Sequence, residues 1–344
     1  MKILVGISGG VDSAFAAKML KERGDDVTCC ILKMHEFSDT LGARKVADEL
    51  GLELVEIDCT KRFDNTIKSY FVREYMRGRT PNPCIVCNER VKFAALYEYA
   101  TENGFDRIAT GHYAKIVEDR TSGKLAHYLC RAADLTKDQS YMLYRLPEEI
   151  LAKTEFPLGE LTKEEVRRCS EIYGLSVAGA ADSQEICFLP DGGYSEYIES
   201  VAGKSPEGNF VDTEGNVLGK HNGIVRYTVG QRKGLGISLG KRMFVSQIDP
   251  IENTVTLSET LEGREEVILS ETVISGGADP RLMSGGKYWA KLRYSSPLVG
   301  AYVEIFDGSK ARLNLVSATK GAPGQSAVVY DGEGRVVLGG FIEP

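Results

Sequence analysis

The sequence predicts three successive parts: an α/β domain with a parallel sheet, a small β-rich domain and a C-terminal β domain. Up to residue 110, short apolar strands alternate with helices of about 10–15 residues, which is the pattern of βαβ units. From residue 203 the chain is rich in glycine and carries short alternating segments, which are typical of a small sandwich or barrel. The three parts are expected at 1–198, 199–266 and 267–344.

Most elements have a recognisable pattern of their own. Strands are expected at 2–7, 27–33, 52–57 and 107–110, and helices at 11–23, 40–50, 61–77 and 88–103. Gly24 and Gly51 follow the first two helices, and glycine is the residue that most readily ends a helix. In the last part, alternating segments predict strands at 288–294, 301–306, 311–316, 326–330 and 336–341.

Composition limits the class of protein. The 344 residues contain no run of about 18 apolar residues, so we expect no membrane-spanning helix. The N-terminus reads as a buried strand without signal-peptide features, so we expect a cytoplasmic protein with reduced cysteines. Cys29, Cys30 and Cys59 lie in or beside apolar runs, which predicts core positions for them. The net charge of −7 argues against a generally basic nucleic-acid binder but allows local basic patches.

The first strand leads into a loop that is typical of a phosphate-binding site. Ser8-Gly9-Gly10-Val11-Asp12-Ser13 opens the first helix, whose N-terminus offers free N–H groups to an anion. Asp12 beside a phosphate indicates an intervening Mg²⁺. A glycine pair alone would suit an ordinary capped turn, and the string is neither a Walker A motif nor a dinucleotide fingerprint. It resembles the PP-loop of ATP pyrophosphatases, which adenylate an oxygen and release pyrophosphate.

Two cysteines follow a loop that is restricted by prolines. Residues 80–87 read Thr-Pro-Asn-Pro-Cys-Ile-Val-Cys, and Asn88 is expected to begin the next helix. Cys87 near a helix N-terminus is expected to have a lowered thiol pKa and to favour the thiolate. Eight basic against three acidic residues in 61–92 strengthen that expectation and could hold RNA phosphates. A third cysteine, Cys187, is distant in sequence, so only the fold can bring it to Cys84 and Cys87.

Six motifs follow one another along nearly the whole chain. They occupy 8–13, 80–83 with 87–88, 109–113, 137–141, 182–183 with 186–188, and 227–236. In this order they resemble the motifs of the bacterial tRNA-specific 2-thiouridylase family. The resemblance implies a PP-loop domain of the adenine nucleotide alpha hydrolase type, followed by a tRNA-binding central domain and a tRNA-binding C-terminal β-barrel.

The resemblance also implies the site residues. ATP would be held by Gly6, Ile7, Ser8, Gly9, Gly10, Val11, Asp12, Ser13 and Gly111, with Leu32 at the position of the family's adenine-contacting methionine. Cys187 would carry a persulfide received from a sulfur donor, and Cys87 would form a disulfide with it as sulfur leaves. A cysteine desulfurase, a relay protein or inorganic sulfide is expected as the source of sulfur for the reaction. Contacts to tRNA are implied for Asn82, Pro83, His112, Lys137, Asp138, Gln139, Arg293, Tyr294 and Gln325.

Cys84 departs from the family pattern, because aspartate usually stands at this position. Cys84, Cys87 and Cys187 could bind a 4Fe–4S cluster and leave one iron open for a hydrosulfide. Persulfide chemistry with Cys84 as a spectator is the alternative. A structural zinc is a third possibility, although three ligands leave the usual four-ligand site incomplete. The linker 34–41 is also shorter than is usual in the family.

The implied activity is ATP-dependent sulfuration of the tRNA wobble uridine at C2. Seven basic and three acidic residues in 203–246 predict an RNA-facing surface in the central part. Two other classes of function stay open. One is a PP-loop ligase acting on a small molecule, and the other is a non-catalytic RNA-binding module with a structural metal.

Overall fold

The computed structural model describes residues 1–120, 125–180, 186–189, 193–275, 286–306 and 309–344. The motif residues Asp182 and Ser183 lie outside these ranges. No helix within them is long and apolar enough to cross a membrane.

The first part of the chain contains a parallel sheet. The strands of this first part are β1 (Lys2–Gly6), β2 (Asp26–Lys33), β3 (Glu53–Asp58), β4 (Arg107–Thr110), β5 (Lys115–Asp119), β6 (Ala126–Cys130) and β7 (Thr154–Glu155). Five of them form a parallel sheet in the order β3-β2-β1-β4-β7, while β5 and β6 pair antiparallel. Val5 of β1 lies between Cys29 and Ala109, and β1 is apolar throughout its buried length because helices cover both faces. The predicted parallel sheet is confirmed.

Ten α-helices are described. They are α1 (Val11–Glu22), α2 (Thr40–Leu50), α3 (Thr60–Phe63), α4 (Ser69–Met76), α5 (Pro83–Cys87), α6 (Phe93–Glu102), α7 (Ser140–Leu143), α8 (Glu148–Leu151), α9 (Lys163–Ile172) and α10 (Tyr194–Ala202). Gly51 ends α2 in the left-handed conformation, as predicted. The π-helical segment Asp64–Lys68 joins α3 to α4, and the π-helical segment Asn88–Lys92 joins α5 to α6.

The helix that carries the cysteine pair begins earlier than predicted. It starts at Pro83 instead of Asn88, because Asn82 caps it by accepting a 3.2 Å hydrogen bond from the Cys84 N–H. Proline fits the first helical position, where a missing N–H costs nothing. Cys84 therefore lies in the first turn and Cys87 in the second.

The rest of the chain forms two β structures. The strands are β8 (Gly208–Val211), β9 (Val217–His221), β10 (Phe244–Asp249), β11 (Thr254–Ser258), β12 (Arg264–Ile274), β13 (Lys287–Lys291), β14 (Val299–Ile305), β15 (Lys310–Thr319), β16 (Ser326–Tyr330) and β17 (Val336–Ile342). The first four form a sheet in the order β10-β11-β8-β9, and the last six close into a barrel in the order β12-β15-β14-β13-β16-β17. Closure leaves the barrel without free edges and confirms the predicted C-terminal barrel.

The barrel packs directly on the first part of the chain. The Tyr141 hydroxyl on α7 donates a 2.7 Å hydrogen bond to the Ser326 carbonyl, and the Tyr144 ring covers Gly339. The Gln325 side chain donates to the Thr80 carbonyl at 2.7 Å. The barrel is thus fixed to the loop that precedes the cysteine pair.

Candidate active site

The loop between β1 and α1 has the geometry of an anion-binding turn. Gly9 has φ of +80°, a conformation that glycine adopts without strain. The Ser8 N–H donates to Ser13 Oγ at 3.1 Å, and that hydroxyl donates to the Gly10 carbonyl at 3.0 Å. Gly10 offers no side-chain cap to α1. The N-terminus of α1 can therefore receive an anion on its backbone N–H groups.

Asp12 has a protein cation beside it. Lys163 Nζ lies 2.7 and 2.8 Å from the two carboxylate oxygens of Asp12, and the Tyr113 hydroxyl donates to the same carboxylate at 2.8 Å. Lys163 is the first residue of α9, which Thr162 caps. Sequence reasoning missed Lys163, since nothing near it in sequence indicates a phosphate site. The Mg²⁺ expected beside Asp12 stays a prediction.

A cavity of about 260 Å³ opens next to the phosphate loop. It is lined by Gly6, Ile7, Ser8, Asp12, Ser13, Cys30, Ile31, Leu32, Met34, Lys92, Phe93, Leu96, Thr110, Gly111, His112 and Gln139. The predicted nucleotide residues Leu32 and Gly111 are thus brought to the phosphate loop, whereas Gly9, Gly10 and Val11 do not line the cavity. A Cβ on Gly111 would lie only 2.6 Å from the Asp12 backbone, so Gly111 is where two walls of the site meet.

The fold brings the distant third cysteine to the other two. Cys87 is buried, Cys84 is half-buried and Cys187 is exposed. Cys84 and Cys187 each act electrostatically on Cys87, and Lys92 acts on Cys87 and Cys187. Met34, on the cavity wall, has its sulfur 3.9 Å from that of Cys87. The thiols therefore adjoin the cavity that is lined by the phosphate loop.

The prediction of a lowered Cys87 pKa is wrong. Burial raises the pKa of Cys87 to about 12, although the charge on Lys92 acts in the opposite direction. Cys87 lies one turn farther into its helix than predicted and only 4% of it is exposed, so desolvation outweighs the helix terminus. Partial desolvation of its sulfur also raises the pKa of Cys187, against the charge on Lys92.

Lys92 is the cation that the three thiols share. Desolvation lowers the pKa of Lys92, but Cys87, Cys84 and Cys187 together raise it above its ordinary value. The sequence placed Lys92 among the basic residues around the cysteines without distinguishing it from the others. In the described part of the chain, no three His, Cys, Asp or Glu side chains are close enough to share a metal ion. The thiols are therefore neighbours without forming a ready metal site.

Comparison with known proteins covers the whole chain. Three family models match it: a tRNA methyl transferase HUP domain at 1–191, a tRNA methyl transferase PRC-barrel domain at 195–259 and an aminomethyltransferase beta-barrel domain at 269–342. The tRNA-specific 2-thiouridylase MnmA of Treponema denticola is 41% identical over 100% of this chain and 98% of its own. Those of Clostridioides difficile and Caldicellulosiruptor saccharolyticus are 39% and 41% identical, each over 99% of this chain and 98% of their own.

The chain belongs to the tRNA-specific 2-thiouridylase family. The resemblance drawn from the six sequence motifs is thereby confirmed. The nine residues that the resemblance to 2-thiouridylases implies as tRNA contacts lie in three places in the structure.

The first place is the loop before the cysteine pair. The Asn82 side chain caps α5, and its amide also lies 3.4 Å from the Met142 sulfur. Pro83 is buried as the first residue of that helix. Gln325 reaches the same loop from the barrel through its bond to Thr80. These positions lie together beside the thiols.

The second place is the edge of the nucleotide cavity. His112 lines the cavity and shares a 2.9 Å hydrogen bond with the Thr110 hydroxyl. Burial, assisted by the charge on Lys92, lowers the pKa of His112 to about 3, so its imidazole is neutral near pH 7. Gln139 also lines the cavity, and its side-chain oxygen accepts from the Tyr113 N–H at 2.9 Å.

The third place joins the segment after β6 to the barrel. Asp138 and Lys137 both act electrostatically on the Tyr294 hydroxyl, whose ring centre lies 6.1 Å from that of Tyr141. The Arg293 guanidinium lies beside Gly230 of the central part. Asp138 is 2% exposed and accepts bonds from its own loop, so a contact with tRNA there would have to be indirect. All nine tRNA positions stay predictions.

The basic surface predicted in the central part is only partly free. Arg226 pairs with Glu196 at 3.1 Å and with Glu199, and Lys241 pairs with Glu259. Exposed Arg232 and Arg242 line a groove of about 600 Å³ that is formed by residues 232, 234–239 and 241–243, and exposed Lys233 is adjacent to it in sequence.

Proposed function

We propose that this protein adenylates the wobble uridine of tRNA with ATP and replaces its O2 with sulfur. The observation that carries the proposal is that one cavity is lined both by the phosphate loop and by residues that neighbour the thiols. Ser8 and Ser13 line it on one side, and Lys92 and Met34, the neighbours of the cysteines, line it on another. Relatives named as tRNA-specific 2-thiouridylases, aligned along the whole chain, support the substrate class.

The first step is adenylation. The base O2 attacks the α-phosphorus of ATP, a P–O bond forms, the bond to the bridging oxygen breaks, and pyrophosphate leaves while the N3 proton goes to solvent. The backbone N–H groups at the start of α1 and the hydroxyls of Ser8 and Ser13 stabilise the phosphate charge. Among the described lining residues, Asp12 is the carboxylate that could hold Mg²⁺. The ion would neutralise phosphate charge, and the Asp12 carboxylate would then contact both Mg²⁺ and Lys163.

The second step is sulfur transfer. A sulfur nucleophile attacks C2, a C–S bond forms, the C–O bond breaks, and AMP leaves with the former base oxygen. On the persulfide route the terminal sulfur of a Cys187 persulfide attacks the base. The Cys87 thiol then attacks the Cys187 sulfur and releases 2-thiouridine, and a thiol reductant must cleave the resulting Cys87–Cys187 disulfide. The exposure of Cys187 suits its loading by an external sulfur donor.

The other route uses a 4Fe–4S cluster held by Cys84, Cys87 and Cys187, which would supply an open iron for a hydrosulfide. Three thiols around the cation Lys92 suit an anionic group. The described side chains are not close enough to share a single metal ion, but a 4Fe–4S cluster would bind each cysteine through a different iron and does not require that distance. The donor would be inorganic sulfide, a cysteine desulfurase or a relay protein.

We propose that the reaction takes place in the cytoplasm, and that residues 199–266 and 267–344 form the tRNA-binding parts.

The two routes differ in the protein isolated without oxygen. We would measure the visible spectrum, the iron and sulfide per chain, and 2-thiouridine formed from tRNA and ATP with either sulfide or a cysteine desulfurase and cysteine as the sulfur source. The cluster route predicts a broad visible absorption and about four irons per chain, lost in Cys84→Ala and kept in Cys169→Ala, whose thiol lies on α9. Iron-free protein that thiolates tRNA with the desulfurase and cysteine, and not with sulfide, would establish the persulfide route.

The same assay tests the proposed function itself. Release of pyrophosphate from ATP should be stimulated by tRNA and should be accompanied by 2-thiouridine. Pyrophosphate release at the same rate with and without tRNA would indicate a small-molecule ligase. Binding of tRNA without ATP turnover would indicate an RNA-binding module. Either result would overturn the proposal.

A further inference from the structure

Lys92 occupies an unusual position in the fold. It is the last residue of the π-helical segment Asn88–Lys92, which interrupts the helix that carries Cys84 and Cys87. Such single π-helical turns occur frequently at functional sites. The interruption places Lys92 on the wall of the nucleotide cavity, which Ser8 and Ser13 also line.

The charge of Lys92 is not balanced by a carboxylate. The groups that raise its pKa are the three cysteines, and among the described residues no Asp or Glu lies within ion-pair distance of its amine. Lys163, which faces the same phosphate loop, differs because it is paired with Asp12 at 2.7 Å. A half-buried ammonium without a paired anion is costly, so the position of Lys92 favours a site that receives an anion.

The position also indicates which anion. In the proposed reaction the sulfur attacks C2, and C2 is bonded to the oxygen that carries the α-phosphorus. The α-phosphate must therefore be the phosphate nearest the thiols. Lys92 lines the cavity and interacts electrostatically with Cys84, Cys87 and Cys187, so it belongs to the thiol side of the cavity, where this phosphate has to be.

We propose that Lys92 binds the α-phosphate, first of ATP and then of the adenylated uridine. This assignment rests on the proposed function. The ammonium group stabilises the negative charge that develops on the phosphate oxygens when pyrophosphate leaves and again when AMP leaves. Lys92 is thus a catalytic residue of both steps, and it is distinct from the cysteines that carry the sulfur.

The test compares AMP, which has only the α-phosphate, with adenosine, which has none. Lys92→Met keeps most of the aliphatic stem and removes the charge, Lys92→Arg keeps the charge, and Lys61→Met removes an exposed lysine from α3 as the matched control. By calorimetry, Lys92→Met should weaken AMP binding by about tenfold or more and change adenosine binding by less than about twofold. Lys92→Arg should recover part of the loss, and Lys61→Met should match the wild type.

The outcomes separate this assignment from the proposed function. If Lys92→Met binds AMP as the wild type does, or loses AMP and adenosine equally, the assignment is wrong even if the wild type thiolates tRNA. The assignment is also wrong if the wild type does not prefer AMP to adenosine. If AMP binding depends on Lys92 but no 2-thiouridine forms, the proposed function fails and the phosphate contact stands. Lys92→Gln replaces Lys92→Met if the latter does not fold, as judged by circular dichroism.

Discussion

Gly111→Ala is expected to damage the nucleotide site through a single methyl group. A Cβ at this position would lie 2.6 Å from the Asp12 carbonyl carbon and the Ser13 nitrogen. Ordinary contacts begin at 3.4 Å, so the start of α1 and the end of β4 would have to separate by about 0.8 Å. Both walls are backbone, and neither can escape by a change of rotamer. The same movement displaces the N–H groups that are expected to receive the phosphates.

The expected loss of stability in Gly111→Ala follows from the overlap of the added Cβ with the backbone of Asp12 and Ser13. Forcing an extra methyl group into a packed site costs roughly 1–3 kcal/mol. For domains of about 150–250 residues each kcal/mol lowers Tm by about 2–4 °C. We therefore expect a Tm lower by about 2–12 °C in a thermal melt, and an ATP Kd raised by at least about tenfold in isothermal titration.

Gly179→Ala is the matched control, because nothing lies within 4 Å of its added Cβ and its backbone is not in the left-handed region. Its Tm should stay within about 1 °C of the wild type, in line with the small effects of substitutions on open surface. The reasoning is refuted if Gly111→Ala binds ATP with wild-type affinity, or if its Tm equals that of Gly179→Ala.

Three further predictions concern other parts of the molecule. Lys163→Met should raise the ATP Kd by about tenfold, since the uncompensated Asp12 carboxylate would repel phosphate; an unchanged Kd in titration would contradict this. Gly339→Ala should lower unfolding free energy by roughly 1–3 kcal/mol, because its Cβ would lie 2.3 Å from a buried tyrosine ring, whereas Gly332→Ala, with an ordinary 3.8 Å contact, should not. The lowered pKa of His112 means that the unfolded state binds a proton below pH 6.5 and the folded state does not. The stability that neutral His112 provides above pH 6.5 is therefore lost as pH falls towards 3, and in urea titrations the wild type should lose about 1 kcal/mol more than His112→Gln between pH 6.5 and 5.5.

Local patterns made the phosphate loop predictable. Ser8 to Ser13 are contiguous, and their function depends on a strand-to-helix turn that the flanking residues already specify. The earlier start of the cysteine helix was also encoded locally, since asparagine followed by proline is a strong helix-start signal. Interpreting the two prolines only as a restriction on the loop places the helix start five residues too late.

Long-range contacts account for what the sequence did not reveal. The Asp12–Lys163 pair joins residues 151 positions apart, so no local pattern could indicate it. The direction of the Cys87 pKa shift depended on how deeply the thiol is buried, which is set by packing across the whole domain. The likeness of six ordered motifs was needed to connect Cys187 with Cys84 and Cys87.

The C-terminal barrel is tied to the active site by several contacts with one short loop. The Thr80 N–H donates to the Pro323 carbonyl at 2.8 Å, and Gln325 returns a bond to the Thr80 carbonyl at 2.7 Å. Arg79 pairs with Glu343 at 2.7 Å, one residue before the end of the chain. Two residues after Thr80, Asn82 caps the helix that carries the cysteine pair. A tRNA bound to the barrel would therefore lie one short loop away from the thiols, and anything that loosens the barrel would also release the cap of their helix.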